Sequence, residues 1–251
     1  MRSHAGERDH AADAAAAVRR RAASGATAIR RFFHDNGLSV AFLTLFLLAL
    51  VFGQGLAGHH VYNDEQRQHG QPEVTYAQYL TSADFIEAMA ENWESEFLEM
   101  LLFTILTAIL VQKGSAESKE PDEPEEDLEA AARRPDAPWP VKRGGLIRAL
   151  YARSLSLVFL VLLVATFFVH AASGARRENE ENLAHGDTGR VGALEFIGTS
   201  KFWFQSFQNW QSEFLGISSM VLFSIWLRQR GSAESKRVGD PHSKTGKSSP
   251  G

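Results

Sequence analysis

The sequence predicts an all-α integral membrane protein with four transmembrane helices, arranged as two tandem parallel-repeat helical hairpins. Three observations lead there. Leu38 to Ala57 and Ser154 to Ser173 are twenty-residue runs without Asp, Glu, Lys or Arg, long enough for a helix to cross a hydrocarbon core. Two motifs recur at a constant offset of 117 positions. Asn92-Trp93-Glu94-Ser95-Glu96-Phe97-Leu98 returns as Asn209-Trp210-Gln211-Ser212-Glu213-Phe214-Leu215, and Gly114-Ser115-Ala116-Glu117-Ser118-Lys119 returns unchanged as Gly231 to Lys236. Finally, basic residues alternate with the apolar runs in a way that assigns sides.

Average composition hides this. With 44% hydrophobic residues and a net charge of -4 the chain resembles a soluble protein, but apolar runs are segregated from charged tails and a charged linker. The absence of cysteine excludes disulfides, thiolate metal sites and cysteine nucleophiles.

Residues 1–30, rich in Ala, Arg and His, include Arg19-Arg20-Arg21 and Arg30-Arg31. They lack a wide apolar face and read as a disordered basic cytoplasmic tail. Its arginines can lie against anionic headgroups at about 1 kcal/mol each. Without an aromatic platform beside them, no nucleic-acid partner is expected.

The first hairpin repeat occupies residues 31–114, with spans at about 38–57 and 93–112. A signal peptide competes for the first span, but the counterpart run at about 154–173 lies mid-chain. The polar, acidic segment after it breaks at Gln71-Pro72. Thr81-Ser82-Ala83-Asp84 reads as a helix start with Thr81 as N-cap, followed by a helical stripe of Phe85, Met89, Trp93 and Phe97. The apolar run from Phe97 is short for a span. The helix therefore begins upstream, with Trp93 and Trp210 as outer interface anchors and Lys113 and Arg230 at the inner edge. Gly114 and Gly231 then fall where helix C-termini place glycine.

Residues 115–143 form an acidic, Pro-rich cytoplasmic linker whose composition predicts disorder. The second repeat, 144–231, has spans at about 154–173 and 210–228. Its outside segment matches Asn63-Asp64-Glu65 with Asn179-Glu180-Glu181, and His69-Gly70 with His185-Gly186. Residues 232–251 read as a disordered tail. Segments 1–37, 112–153 and 228–251 hold 7, 8 and 6 of the 26 Lys and Arg, against 1 and 4 in 59–95 and 174–213. By the positive-inside rule both termini and the linker are cytoplasmic. Two spans per repeat give both copies one orientation, whose natural symmetry is a pseudo-two-fold axis along the membrane normal.

The candidate intramembrane polar site consists of Asn92, Ser95 and Glu96 with Asn209, Ser212 and Glu213, which share one face at spacings of three and four. Counting outward from Lys113 puts Glu96 just below the outer boundary of a core ~30 Å thick. A carboxylate there points into the bundle or to water. Either the two faces meet and line a cation or proton site, or the glutamates snorkel outward and bond neighbouring helices. Glu99 has no acidic counterpart, because Gly216 replaces it.

His59, His60, His69, His170 and His185 match no metal-ligand spacing and read as loop histidines, so no metal or cofactor is expected. Gly53/Ala57 and Ser212/Gly216 are spaced for close helix approach. Gly-Ser-Ala-Glu-Ser-Lys reads as a helix terminator or a cytoplasmic docking point, yet termination alone does not require six identical residues. No catalytic constellation is present, so no enzyme is expected.

Asn36 to Ser39, Tyr62-Asn63-Asp64-Glu65, Asn-Trp-x-Ser-Glu-Phe-Leu and Gly-Ser-x-Glu-Ser-Lys resemble the pattern of an uncharacterised family of small bacterial membrane proteins. The resemblance covers roughly 30–120 and, as a second copy, 145–240; residues 1–28 read as an extension beyond it. It implies a multi-pass protein of the bacterial inner membrane and brings no activity, cofactor or catalytic residue. The lipid bilayer is then one partner, with a homodimer or another membrane protein as a further one. Two functions follow: a structural or partner-binding envelope protein that docks through Phe202, Trp203, Phe204 and Phe207, or a small proton/cation conduit or antiporter.

Overall fold

A computed structural model describes residues 27–246, all of whose regular structure is helical. The expected basic tail lies, apart from residues 27–30, outside the described residues. The chain divides into two compact units after Tyr79.

In the first unit, helix α1 (Thr27–Gln68) runs for 42 residues and is apolar enough to cross a membrane. Its stretch Ala49–Ala57 has π-helical geometry. The helix passes from its apolar run into Gly58–Gln68 without a break, since nothing before His69-Gly70 stops it. There Gly70 takes a positive φ of 67° and the His69 ring bonds the Glu65 carbonyl at 2.9 Å. The chain turns back into the short helix α2 (Tyr76–Tyr79). The Asn63 amide holds the return: its Nδ2 donates to the Val74 carbonyl at 3.0 Å, and its Oδ1 accepts the Val74 N–H at 2.9 Å. Tyr79 seats its ring end on Gly58, where a Cβ would collide with the hydroxyl.

The second unit holds helices α3 (Ala83–Ile109), α4 (Leu128–Ala132), α5 (Trp139–Arg143), α6 (Gly145–Tyr151), α7 (Ser154–Ala184), α8 (Ala193–Ile197) and α9 (Ser200–Trp226). Here α3 packs along α7, α9 packs on α3, and α8 packs on α7. A small apolar core of Ala171, Ala175, Phe196 and Phe202 joins α7, α8 and α9. Of these, α7 is also long and apolar enough to cross a membrane.

Details of the first unit recur after α7. The Asn179 amide holds Val191 at 3.0 and 2.7 Å, the His185 ring bonds the Glu181 carbonyl at 2.8 Å, and Gly186 has φ 80°. Phe196 sits on Gly174 as Tyr79 sits on Gly58. Both α3 and α9 have 27 residues. Their N-caps correspond: the Ser82 hydroxyl accepts the Phe85 N–H at 3.2 Å, and the Thr199 hydroxyl accepts the Phe202 N–H at 3.3 Å. The cap is thus Ser82 rather than Thr81, because Ser82 carries the extended backbone of a capping residue.

The C-terminal ends depart from expectation and explain the repeated hexapeptide. Both helices stop early, at Ile109 and Trp226, and the next residue is extended in each (ψ 156°). Apolar sequence continues to Val111, but the helix does not. Gly114 (φ 88°) and Gly231 (φ 84°) lie in the turn beyond, not at the helix cap. Within that turn the Ser118 hydroxyl accepts the Gln112 N–H at 2.9 Å and the Ser115 hydroxyl accepts the Glu117 N–H at 3.1 Å. Lys119 reaches back to the Ala108 carbonyl at 2.6 Å, one of the orphan acceptors of a helix end. In the second copy Ser235 takes the Gln229 N–H at 3.0 Å, Ser232 takes the Glu234 N–H at 3.1 Å, and Lys236 reaches the Ile225 carbonyl at 3.3 Å. Glycine supplies the positive φ, the two serines supply hydroxyl acceptors and the lysine supplies the reaching donor.

Order extends further than composition suggests. Lys236 is 1% exposed and also donates to the carbonyls of Gly114, His242 and Lys244. Thr245 accepts the Gly114 N–H at 2.9 Å, Gly246 donates to the Ser115 carbonyl at 2.9 Å, and the Ser115 and Ser224 hydroxyls meet at 2.9 Å. Residues 232–246, expected to be disordered, therefore pack on the first copy's turn. Polar contacts achieve this with little apolar area, which is what a composition argument weighs. The linker likewise contains α4, capped by Asp127, and α5. Gly53 and Gly216 face open space; the helical glycines that a side chain approaches closely are Gly55, Gly58 and Gly174.

Gly174→Ala pushes a methyl group into the Phe196 ring and the Glu87 carboxylate, and overpacking of this kind costs about 1–3 kcal/mol. Gly216→Ala meets nothing and gains helix propensity of about 1 kcal/mol. Thermal unfolding of the detergent-solubilised protein is expected to show the first variant below wild type and the second at or above it.

Candidate functional site: a buried polar row on α3

Three helices bring polar groups together along one side of α3. At its centre Glu94 and His170 are both 0% exposed, with Glu94 Oε2 and His170 Nδ1 at 2.7 Å. Phe202 of α9 stacks on the imidazole at a centroid distance of 4.6 Å. Two α3 turns toward its N-terminus, Glu87, also buried, accepts a hydrogen bond from the Gln205 Nε2 amide at 3.0 Å and one from Arg177 at 3.3 Å. Arg177 is shared with Asp84 at 3.1 Å and Glu181 at 3.1 Å. Between these levels Asn209 donates to Glu91 at 2.5 Å. Lys201 closes the outer end. Burial opposes its charge, but the Glu178 and Glu181 carboxylates at 2.6 and 2.9 Å outweigh this and hold the ammonium above the ordinary lysine range.

The centre is not fully satisfied. Glu94 Oε1 and His170 Nε2 complete no hydrogen bond of normal geometry among the described residues; the Gln205 nitrogen is committed to Glu87, and its buried oxygen is the acceptor that serves the His170 ring. A buried carboxylate and imidazole in direct contact can exchange a proton between them, and each makes the other's burial tolerable.

The expected site is brought together in part. The Ser95 hydroxyl lies 3.5 Å from Glu213, and the carboxylates of Glu96, Glu99 and Glu213 approach within 4.8 Å of one another. Glu99 thus joins the cluster despite lacking a counterpart. This trio can share protons or hold a cation, and a carboxylate cluster alone selects neither. Asn209 pairs with Glu91 instead. Asn92 and Ser212 are exposed and bond their own helices, to Ala88 and Asn209 carbonyls. Trp93 and Trp210 are half-buried, Trp210 against Trp203 and Phe207. Lys113 and Arg230 are exposed beyond the helix ends.

The histidines are corrected. His59, His60 and His170 are helical, His59 bonds the Val74 carbonyl at 2.8 Å, and His170 is a core residue. Within the aromatic segment thought to dock partners, Phe202 is buried while Phe204 and Phe207 are exposed. His170 could have been found from the sequence as the one ionisable side chain of a twenty-residue span, because such a residue faces the bundle and has a partner.

The fold and site define a class: a helical protein that has, among the described residues, two helices able to span a membrane and a buried acid–imidazole pair. The family is defined too. The chain belongs to the family described as a domain of unknown function (DUF6766), whose pattern matches residues 29–247. No curated protein and no solved structure matches it.

Replacing one partner strands the other. His170→Ala and Glu94→Ala are each expected to cost about 3–5 kcal/mol, and the double variant clearly less than their sum. A coupling of at least about 1 kcal/mol in a double-mutant cycle on denaturant unfolding in micelles is expected; additivity within about 0.3 kcal/mol would mean the pair holds nothing.

Proposed function

We propose that this is a four-span protein of a bacterial inner membrane, with spans at about 38–57, 93–109, 154–173 and 210–226 and with both termini and residues 115–143 in the cytoplasm. Its role is non-enzymatic: a structural or partner-binding membrane protein. What supports membrane embedding is exposed apolar surface. Leu38, Phe42, Val161 and Leu215 are each more than 60% exposed, along helices where dozens of their neighbours are also apolar and uncovered. Each such side chain left in water forgoes about 1.5–3 kcal/mol, whereas lipid removes that cost.

The observation that carries the structural role is the change of character along α3 and α9. Outward of Glu99 the helices meet through polar groups; inward, the groove beside them is mostly apolar, lined by Leu102, Phe103, Leu106, Phe214, Ile217 and Val221, with Thr107 among them and Gln112, Glu117 and Ser118 at its far end. A polar row that gives way to a mostly apolar layer suits a lock between helices better than a path across the membrane. Its occupants fix which helix faces which, at about 1 kcal/mol per interhelical hydrogen bond. A second reading, a proton or cation conduit, is favoured by the convergence of Glu96, Glu99 and Glu213 just inward of the Glu94–His170 pair.

Reporter fusions are expected to place residue 70 outside and residue 130 inside; the same side for both would remove the topology. Proteoliposomes of the wild type are expected to be as tight to protons and sodium as protein-free vesicles. A flux that Glu94→Gln or Glu213→Gln abolishes would replace the structural reading with the conduit.

A further inference from the structure

We propose that residues 139–153, comprising α5, α6 and the entry to α7, form a surface that lies on the membrane and selects anionic phospholipid headgroups; this rests on the membrane reading above. Trp139 is 65% exposed, Leu146 74% and Leu150 50%, with Ile147 and Tyr151 also uncovered. Leu146/Leu150 and Ile147/Tyr151 are spaced four apart on α6, so they share a face. The polar side is already engaged. Arg148 bonds the Leu128 carbonyl and the Glu129 carboxylate, and Lys142 bonds the Pro135 carbonyl. These contacts tie α5 and α6 to α4 and leave the apolar face uncovered.

Position and charge say what covers it. The span α7 begins at Ser154, immediately after this segment, so its last residues stand at the bilayer boundary. From Trp139 to Arg153 the sequence contains Lys142, Arg143, Arg148 and Arg153 and no Asp or Glu. An apolar helix face bordered by cations and flanked by Trp and Tyr is the pattern of an interfacial helix on an anionic leaflet. The consecutive left-handed glycines Gly144 and Gly145 (φ 70° and 57°) let the chain turn sharply between α5 and α6, so both short helices can rest on one plane. Arg148 is ion-paired with Glu129, which leaves Lys142, Arg143 and Arg153 as the cations beside the face, and a soluble protein partner there would compete with the headgroups for them.

The chain has no cysteine, so single-cysteine variants can be spin-labelled without background. Leu146→Cys, Leu150→Cys, Val161→Cys and Arg133→Cys of the full chain would be reconstituted in phosphatidylcholine vesicles with and without phosphatidylglycerol. Relaxation by oxygen against a water-soluble nickel chelate then reports depth. Labels at 146 and 150 are expected between the water-like label at 133 and the lipid-like label at 161, and about threefold more oxygen-weighted when phosphatidylglycerol is present. Lys142→Glu with Arg143→Glu is expected to remove that lipid dependence. Water-like labels at 146 and 150 beside a lipid-like label at 161 would overturn the surface and leave the spans standing. A water-like label at 161 would overturn the membrane reading itself. Equal depth in both vesicles would overturn headgroup selection.

Discussion

The contact between Glu94 and His170 sets the register on which the second unit depends. Both side chains are fully buried, and a buried charge without a partner costs several kcal/mol. Sliding α3 along α7 or rotating either helix would separate them, so one bond fixes both movements. The next buried acid confirms the register. Glu87 is seven residues before Glu94, and its partner Arg177 is seven residues after His170. Equal and opposite steps of seven describe antiparallel helices meeting on the same faces every two turns. Gly174 lies between the two levels, and its missing side chain admits Phe196 and the Glu87 carboxylate.

With α3 and α7 so placed, α9 follows. Phe202 stacks on His170 from one side, Gln205 reaches Glu87 and Asn209 reaches Glu91. These three residues are spaced by three and four, one face of one helix. The C-terminal ends of the two helices are joined separately, by Lys236 and Thr245 around the Gly114 turn. The two ends of the α3–α9 contact are therefore held by hydrogen bonds, and the apolar stretch between them need only fit.

What could be read from the sequence was whatever is local. Apolar length identified α1 and α7; the matched Asn-Asp-Glu/Asn-Glu-Glu and His-Gly segments were visible as a correspondence, and the structure makes them like helix ends at Gly70 and Gly186. The start of α3 was legible to within a residue. Its end was not, because Leu110 and Val111 continue an apolar run while leaving the helix. The buried pair was also missed. A periodic stripe tells which residues share a face, but not which face of another helix it meets, and Glu94 looked like one more acid of an outside segment. The assembly of Glu96, Glu99 and Glu213 depends on the same interhelical register, which matching positions within the sequence do not supply.

Comparing the two copies residue by residue separates backbone requirements from polar chemistry. Where a backbone end must be closed, they agree: the turn glycines, the capping serines and the reaching lysines correspond throughout. Where the polar row stands, they differ. Glu87, Glu91, Glu94 and Glu99 of α3 correspond, at the same offset of 117, to Phe204, Gln208, Gln211 and Gly216 of α9. Of the five acids from Glu87 to Glu99, Glu96 alone meets an acid, Glu213. Like acids on both helices would place carboxylates against each other where the helices touch, and like charges in low dielectric repel strongly. Replacing one set by amides and aromatics turns repulsion into donors for the remaining acids: Gln205 serves Glu87, and Asn209 serves Glu91. The copies are thus complementary where they touch and alike where they end, which is why one polar row, rather than two, runs through the second unit.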